Sequence, residues 1–302
     1  MTTTVQTPHE PTHTPTSTQS ISARAARSRS AVRDTAMNLG VLIAALIWFS
    51  PLLLLAVSAF RPLSDFVTNG PVSWPEGLTL ENFPAAWEAG AFDVSYMNSA
   101  FLLAVKVPLG VFLAAMLAFA LAKLEFRGRN AVLFVVVLGL TVPMYIAIVP
   151  LFTMLRNVGM TDSIIGIVGP YLAFGLPLQV LILQAFFRRV PEELLEAARV
   201  DGAGEFRIFF TIVLPLSLPA LVTVAILDGV ATWNELFLAL SLLSSEENQT
   251  IPLGLLNFQG QFGTNYTGLA AGVLIAVVPI LVLYMFLQKY IVHGLTAGAT
   301  KG

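Results

Sequence analysis

The chain alternates long apolar runs with shorter polar segments, and this pattern predicts membrane-spanning helices. Roughly 20 consecutive, mostly apolar residues suffice to carry an α-helix across a bilayer. Six runs reach that length, and the predicted spans cover residues 39–60, 99–122, 131–155, 163–187, 214–243 and 268–288. The pattern therefore predicts an all-α membrane fold with six transmembrane helices.

The polar segments divide the chain further. Residues 1–36 are rich in Thr, Pro and Ser and then in Arg, a composition that cannot bury a core, so we predict a disordered tail. The first transmembrane helix with its flanks occupies 37–61, a polar external loop follows at 62–94, and the helical domain occupies 95–289. A tail, 290–302, ends the chain. The first apolar run exceeds the ~7–15 residues of a signal-peptide core, which indicates a retained anchor.

Composition agrees with a membrane protein. Hydrophobic residues make up 56% and charged residues only 11% of the 302 residues, against about 25% charged residues in typical soluble domains. The mean hydropathy is +0.78, which excludes a soluble domain. The absence of cysteine excludes disulfides and thiolate chemistry. Prolines in the runs predict bends that neighbouring helices tolerate; they are Pro108, Pro143, Pro150, Pro170, Pro177, Pro219 and Pro279.

The lysines and arginines are distributed asymmetrically. If the N-terminus is cytoplasmic, only Arg61 and Arg156 lie outside and Lys106 lies within a span. The remainder are then cytoplasmic: Arg24, Arg27, Arg29, Arg33, Lys123, Arg127, Arg129, Arg188, Arg189, Arg199, Arg207, Lys289 and Lys301. Because cytoplasmic loops carry an excess of Lys and Arg, we predict a multi-pass protein of the plasma or inner membrane with both termini in the cytoplasm.

One amphipathic segment, residues 190–215, interrupts the apolar pattern on the predicted cytoplasmic side. Pro191 suits the first position of a helix, and Glu192 and Glu193 then place negative charge near its N-terminus. Gly202 tolerates the left-handed backbone conformation that ends many helices. Phenylalanines at three-to-four-residue spacing follow and predict a second short helix. The segment is therefore predicted to form a helix–turn–helix with a small-residue face at the membrane surface.

The same segment carries a motif with fixed spacing. Its residues are Glu196, Ala197, Ala198, Gly202, Ile212, Leu214 and Pro215. At every specified position they match the EAA loop of ABC-importer permeases, so the chain resembles that family. The resemblance implies that these residues, together with Asp201, couple the permease to a cytoplasmic ATPase. The alternative is an amphipathic surface helix that contacts no partner.

Three ionisable residues, Lys106, Asp228 and Glu235, lie within predicted spans. A charge there costs at least ~2.5–3.5 kcal/mol, so such residues are candidates for function. Trp233 and Asn234 directly precede Glu235, and together they offer an indole, an amide and a carboxylate for contact with a sugar. The same residues could instead gate the path or bind helix to helix. For Lys106, snorkelling or a structural pair with a carboxylate is the alternative.

The polar segment 244–266 between the last two spans resembles the corresponding loop of maltose-type sugar permeases. In that family the loop approaches the binding protein and its substrate. The resemblance implies that Asn257, Gln259, Gly260 and Gln261 face an external binding protein. A plain surface hairpin is the alternative.

The chain contains no HExxH, GxSxG or Walker A pattern, and we predict neither an enzyme nor a metal site. The likeness is closest to the second permease of maltose-type carbohydrate importers. It implies a type I ABC importer subunit that forms the translocation path for an oligosaccharide or related sugar. The implied partners are a second permease in a heterodimer, two ATP-binding-cassette ATPases, an external solute-binding protein and membrane lipid, but no nucleic acid.

ATP and Mg would bind to the partner ATPases, and this chain would bind no cofactor itself. Two alternatives stay open. The first is an ABC permease for a solute other than a sugar. The second is an ion-coupled secondary transporter, in which Lys106, Asp228 and Glu235 would form the relay.

Overall fold

The computed structural model describes residues 17–260 and 263–299, and these are mostly helical. The α-helices in chain order are α1 (Ser17–Ala59), α2 (Leu63–Asn69), α3 (Asn82–Ala89), α4 (Phe92–Lys123), α5 (Arg129–Thr141), α6 (Met144–Asn157), α7 (Ile164–Phe187), α8 (Glu192–Val200), α9 (Glu205–Ile208), α10 (Leu214–Leu216), α11 (Leu218–Trp233), α12 (Phe237–Leu242), α13 (Ile251–Gly254) and α14 (Tyr266–Ala299). The other elements are a π-helical segment (Phe209–Val213), 3₁₀ turns (Glu246–Asn248 and Leu255–Phe258) and strands β1 (Gln259–Gly260) and β2 (Gly263–Thr264). Residues 1–55 and 56–302 form separate units.

Helix α1 contains the first predicted span. Its segment Met37–Ala59 is long and apolar enough to cross a membrane, close to the predicted 37–61. Large apolar side chains along it, among them Ile47 and Trp48, are exposed. Such a surface suits contact with lipid chains, which are as apolar as the side chains themselves.

Both predicted tails are in part helical. The disorder predicted for 1–36 does not hold from Ser17 onwards, because α1 begins there. The part of the tail from Ser17 contains neither Pro nor Gly and is rich in Ala and Arg, which favour helix. At the other end, α14 continues through the predicted tail 290–302 as far as Ala299. The residues before Ser17 and after Ala299 lie outside the described residues.

The described residues contain between four and six candidate spans. Helices α1, α4, α7 and α14 are each long and apolar enough to cross a membrane. Two more segments pass the same test only as bent pairs, α5 with α6 and residues 205–216 with α11. The chain is thus an integral membrane protein, and the two bent pairs decide how many spans it has.

The predicted third span, 131–155, is not one helix. Helices α5 and α6 meet at 102°, and the break falls at Val142 and Pro143. Proline has no N–H and disfavours helical backbone at the residue before it, and Val142 is accordingly extended, with φ −72° and ψ 113°. The sequence predicted a bend at Pro143, but the observed break is large enough for a re-entrant loop.

The predicted fifth span, 214–243, is broken twice. The first break lies at Ser217, where the axes of the flanking helical segments differ by 77°. Pro215 and Pro219 flank this position, and each removes one of the backbone donors that would otherwise bond to the preceding turn. The second break follows Trp233, where α11 ends. The sequence predicted a bend at Pro219, and the first break lies two residues before it, whereas the break after Trp233 was not predicted.

Helices α4 and α7 form the centre of the hydrophobic cluster against which α8 packs. Ala114 and Ala118 of α4 are fully buried in one cluster with Leu183 and Phe187 of α7. Small residues at such an interface let two helix backbones approach closely. Leu195 of α8 is fully buried in the same cluster, so the amphipathic helix is attached to the membrane helices through its own apolar side.

The loop after α1 is ordered by a buried arginine. The Arg61 side chain is fully buried, and its Nε donates to the Asp65 carboxylate at 2.9 Å. Its Nη1 donates to the carbonyls of Gly70 and Ser73, both at 3.1 Å. The Asn82 amide donates to the Arg61 carbonyl at 2.8 Å. The guanidinium thus joins α2 to the turn that follows it, and the Arg61 backbone carbonyl joins the same residue to the start of α3.

The structure predicts that this loop loosens in acid. Hydrogen bonds from Arg61 and then Asn69 lower the pKa of Asp65 from 3.8 to about 2. Because the folded-state pKa is the lower one, the stabilisation is complete above about pH 4 and is lost as the pH falls through about 2. Hydrogen–deuterium exchange of residues 62–82, corrected for the intrinsic rate, should rise over this range. An Asp65→Asn variant should exchange fast even at pH 7, and equal protection of both proteins would contradict the assignment.

Candidate coupling surface and intramembrane polar cluster

Helix α8 begins close to the predicted position. Pro191 is the residue before the first helical turn, with φ −57° and ψ 133°, and not the first helical residue as the sequence predicted. Glu192 and Glu193 lie in the first turn, where the helix dipole favours negative charge. The proline ring therefore fixes the direction in which the chain enters the helix.

The end of α8 is the turn that the sequence predicted. Gly202 has φ +80°, a left-handed conformation in which a side chain is strained. Its N–H donates to the carbonyl of Arg199 at 3.0 Å, and the N–H of Ala203 donates to that of Ala198 at 2.9 Å. This pair of bonds is the Schellman motif, which satisfies carbonyls left free at the helix end. Asp201, between helix and glycine, is exposed.

The two sides of α8 differ in exposure. Leu195 faces the core, while Glu196 and Ala197 are exposed and Ala198 is partly buried against the core cluster. Val200, in the last turn, is 87% exposed. The predicted small-residue face thus exists, and it continues into an exposed apolar side chain. A surface of this kind can enter a groove on another protein.

The second half of the motif connects α8 to α11. The second short helix predicted there is split into α9, the π-helical segment and α10. Ile212 and Leu214 pack partly buried against the core cluster, and Pro215 is exposed. Phe209 is buried and contacts the ring of Phe119 on α4, with centroids 5.2 Å apart. Phe209, Ile212 and Leu214 therefore anchor the segment to the membrane helices, whereas Pro215 belongs to its exposed surface.

A chain of ion pairs, which the sequence analysis missed, braces the two short helices. Lys123 at the end of α4 donates to the Val190 carbonyl at 2.6 Å and to the Glu192 carboxylate at 3.1 Å. Arg199 donates to Glu192 at 3.1 Å and to Glu205 at 2.8 Å. The network therefore connects α4, α8 and α9. Exposed pairs contribute only ~0–1 kcal/mol each, so its main effect is on the angle between the helices.

The pKa values in this network follow its contacts. Desolvation raises the pKa of Glu192, but hydrogen bonds from Lys123 and Arg199 outweigh it, and the pKa lies below its usual value. Hydrogen bonds to Glu205 and then Glu192 raise the pKa of Arg199. Glu192 and Arg199 therefore both stay charged at neutral pH. The two-turn spacing of Glu192 and Arg199 on one helix is the sequence signal for this pair, whereas nothing local predicts Lys123.

Two of the predicted intramembrane charges form a pair. Lys106 of α4 donates to the Asp228 carboxylate on α11 and also to the Thr232 hydroxyl at 3.1 Å. Both charged side chains are buried, with 3% and 7% of their residue surface exposed. The arrangement matches the structural pair that was the alternative for Lys106. It fixes α4 to α11 near the middle of both helices.

The structure does not bring Trp233, Asn234 and Glu235 together on one surface. The Trp233 indole is buried and donates to the carbonyl of Ala276 on α14 at 3.2 Å. The exposed Asn234 amide donates back to the carbonyl of Val230 at 2.8 Å. The break that ends α11 at Trp233 turns the three side chains apart. They cannot stack on and bond to one sugar together, as the sequence suggested.

Glu235 is held between two other helices. The Tyr171 hydroxyl of α7 donates to its carboxylate at 2.6 Å. The backbone N–H groups of Leu238 and Ala239 donate to the same carboxylate at 2.8 and 3.2 Å. A carboxylate at this position satisfies free N–H groups at the start of a helix, so Glu235 acts as the cap of α12.

Two cavities adjoin these residues. A cavity of about 140 Å³ is lined by Lys106, Asp228 and Glu235 among others. A second cavity of about 380 Å³ is lined by Trp233, Asn234 and Gln259, mostly between apolar side chains of α14 and the loop before it. The second cavity therefore joins two of the intramembrane candidates to one candidate of the external loop.

Three of the four predicted loop candidates are described, Asn257 in the 3₁₀ turn Leu255–Phe258 and Gln259 and Gly260 in β1. The Asn257 amide donates to the Ala89 carbonyl at 3.0 Å and to the Gln249 side chain at 3.2 Å. Gln259 and Gly260 form β1 and are exposed. Gln261 lies outside the described residues. Asn257 thus connects this loop to α3, while β1 remains accessible to another protein.

The described residues offer no evident metal site. Within 17–260 and 263–299, no three His, Asp or Glu side chains converge on a point where a metal ion could be held. The carboxylates of Asp228, Glu192, Glu205 and Glu235 instead accept hydrogen bonds from lysine, arginine, tyrosine or backbone N–H groups. What the arrangement offers is a docking surface and a buried polar cluster, and neither is a catalytic constellation.

Comparison with known proteins agrees with these features. Residues 106–297 match the family described as "Binding-protein-dependent transport system inner membrane component". The permease protein AraQ of the arabinooligosaccharides transport system of Halalkalibacterium halodurans is 35% identical over 279 residues, 91% of this chain and 99% of AraQ. The trehalose transport system permease protein SugB of Mycobacterium tuberculosis is 36% identical over 254 residues, 83% and 92% of the two chains.

A solved structure has the same fold. It is the bacterial ABC transporter involved in the import of the acidic polysaccharide alginate, with a TM-score of 0.73 and 22% identity, covering 88% of this chain and 98% of that one. The family match and these relatives define a transport subunit of the membrane. The chain belongs to the family of inner membrane components of binding-protein-dependent transport systems, and the family is one of ABC transporter permeases.

Proposed function

We propose that this chain is the permease subunit of an ABC importer for a carbohydrate, an oligosaccharide or related sugar. Relatives named for arabinooligosaccharides, diacetylchitobiose and trehalose support this solute class. Six spans, counting each bent pair as one, would place both termini and α8 in the cytoplasm. Membership of a binding-protein-dependent family argues against the ion-coupled alternative, while a non-sugar solute remains the rival within the family.

The observation that carries the proposal is the exposed face of α8, whose other side is fixed to the membrane helices through Leu195. Reversing a 1:99 conformational ratio takes roughly 5.5 kcal/mol of differential binding, whereas exposed ion pairs contribute only ~0–1 kcal/mol each. The ATPase subunit must therefore bury an apolar surface of α8 in a groove, and that surface consists of Ala197, Val200 and the partly buried Ala198. Glu196, exposed beside them, is placed to pair with a basic residue there. Gly202 and the ion network fix the angle at which this surface is presented.

The proposed assembly contains a second permease, two ATPase subunits and an external binding protein. ATP and Mg bind to the ATPases, and this chain binds no cofactor. Closure of the ATPase dimer on ATP draws the two coupling helices together and turns the spans from inward-facing to outward-facing. The binding protein, which we place against the Asn257–Gly260 loop, then releases the sugar into the opened path.

Purification of the complete complex through an affinity tag on this chain tests the proposal. Its subunits are identified by mass spectrometry, and the complex is reconstituted in proteoliposomes. We expect uptake of a labelled arabinooligosaccharide, diacetylchitobiose or trehalose that requires ATP and the binding protein. Uptake without a nucleotide-hydrolysing partner, or abolished by an ionophore alone, would overturn the importer. Uptake of a non-sugar solute only would overturn the solute class.

The proposed orientation has its own test, because the chain contains no cysteine. Single cysteines are introduced at Ser64 in the loop after α1 and at Glu125 after α4, both exposed positions. A membrane-impermeant maleimide should label Ser64→Cys in intact cells. It should label Glu125→Cys only after the membrane is permeabilised. The reverse result would invert the topology and remove α8 from the cytoplasm.

A further inference from the structure

An unusual group of polar atoms lies between α4, α7 and α11. Lys106 and Asp228 form the pair described above, and Gln179 of α7 lies beside them with only 4% of its surface exposed. Among the described residues, four buried side-chain atoms have no hydrogen-bond partner, and three of them belong here: Nε2 and Oε1 of Gln179 and Oδ2 of Asp228. Buried polar atoms are costly without partners, so their concentration in one place calls for a reason.

Two glycines bring the helix backbone close to these atoms. A Cβ at Gly175 would lie 3.0 Å from Gln179 Nε2, 3.0 Å from Lys106 Nζ and 3.1 Å from Asp228 Oδ1. A Cβ at Gly110 would lie 3.3 Å from Oε1 of the same amide. A side chain at Gly175 would crowd these three polar atoms, so glycine allows the Lys106, Asp228 and Gln179 groups to lie close together beside the backbone of α7.

A cavity of about 140 Å³ adjoins this group and is lined by Gly175, Lys106, Asp228, Thr232, Tyr171 and Glu235, among others. Gln179 lies one helical turn from Gly175 on the same helix. Ligand pockets of proteins usually measure ~300–1,000 Å³, so a whole oligosaccharide does not fit. The cavity does admit water molecules, which need only a small fraction of this volume, or one hydroxyl-bearing edge of a sugar ring.

The chemistry of the free atoms selects the ligand. The carboxylate oxygen of Asp228 accepts, the Gln179 amide donates and accepts, and Lys106 donates. A group that fits must therefore both donate and accept, as a hydroxyl does. Two carboxylates disfavour an anion and the ammonium disfavours a cation, which leaves a neutral group.

We propose that Gln179, Asp228 and Lys106 form a binding niche for hydroxyl groups within the membrane part of the chain. Water fills the niche between transport events, and hydroxyls of the passing carbohydrate replace it. The second statement rests on the proposed function. Gln179 is the diagnostic residue, because it belongs to no ion pair and its amide has no partner in the described structure.

The test compares two buried glutamines of α7. Gln184 is as buried as Gln179, at 5% against 4% exposed, but its amide donates to the Leu121 carbonyl at 3.2 Å. Gln179→Leu and Gln184→Leu are measured in the complete reconstituted importer for sugar imported per ATP hydrolysed and for thermal unfolding. The probes are labelled arabinooligosaccharide, diacetylchitobiose and trehalose.

Gln179→Leu is expected to lower the sugar imported per ATP at least threefold with no loss of thermal stability. Gln184→Leu should lower stability and leave the ratio unchanged. A Gln179→Leu protein that is less stable but imports normally would reduce the niche to a water site and overturn its role in transport. A protein unchanged in both respects would overturn the niche altogether. If the wild-type complex imports none of the three sugars, the proposed solute class fails first, and the transport role of the niche fails with it.

Discussion

Gly202→Val is expected to reduce ATP-dependent uptake at least tenfold while the protein stays in the membrane at its normal amount. Gly202 has φ +80° and ends α8. No described heavy atom lies within 4 Å of the Cβ position, so valine meets no steric clash and the effect comes from the backbone alone. A branched residue in this conformation costs of order 1–3 kcal/mol, which corresponds to a ~5–150-fold change in population.

The physical consequence is a change in the direction of α9. If the left-handed turn opens, the bonds from Gly202 and Ala203 to the last turn of α8 are lost, and the ion pair between Arg199 and Glu205 is pulled apart. The exposed face of α8 then meets the ATPase groove at a different angle. Uptake in proteoliposomes, normalised to the permease content by immunoblot, measures the loss.

Gly204 provides the matched control. It lies two residues further on, has an ordinary extended backbone with φ −74° and ψ 163°, and likewise has open space at its Cβ among the described residues. Gly204→Val should therefore retain most of the uptake. Gly202→Asn should fall between the two, because asparagine tolerates the left-handed region better than other side chains. Equal losses for both valine variants would contradict the explanation.

Local sequence signals predicted the coupling segment well because its geometry depends on local rules. The acidic first turn, the glycine at the helix end and the small-residue face each follow from residues within one helix length of one another. The ion network was missed for the opposite reason. Lys123 reaches Glu192 from another helix, 69 positions away in the sequence, and no local pattern announces such a contact.

In the membrane helices, too, local sequence predicted some features and contacts between distant residues determined others. Hydropathy located every long apolar run, but it did not show that α5 and α6 meet at 102° or that α11 stops at Trp233. Prolines marked where breaks were possible. Whether a proline bends a helix or breaks it depends on which neighbours satisfy the freed backbone groups. Pro108 and Pro177 accordingly lie inside continuous helices, whereas Pro143 begins a new one.

Residue type alone identified the polar candidates within the spans, but the helix breaks determine which partners their side chains contact. Lys106, Asp228 and Glu235 were singled out because charges in a membrane are costly. The structure gives them different partners, since the end of α11 turns Glu235 towards Tyr171 and leaves Asp228 with Lys106. Adjacency in the sequence suggested that Trp233 and Glu235 act together, but α11 ends at Trp233 and the two side chains bond to different helices.

Removing one member of the buried pair should destabilise the fold more than any other single change proposed above. Asp228→Leu leaves the ammonium of Lys106 buried, with the neutral Thr232 hydroxyl at 3.1 Å in place of a carboxylate. Breaking a buried ion pair in this way costs about 3–5 kcal/mol. We expect a strongly lowered unfolding temperature in detergent, with less protein recovered from the membrane.

The double variant Lys106→Met/Asp228→Leu should restore most of that stability, because two apolar side chains of similar size remove both desolvation penalties at once. Glu192→Gln, which breaks a half-exposed pair, serves as the control and should cost less than about 1 kcal/mol. If the double variant is as unstable as the single one, the pair is not what joins α4 to α11. If it recovers stability yet imports less sugar per ATP, the two charges are kept for the hydroxyl niche and not for folding, since an apolar pair would hold the helices equally well.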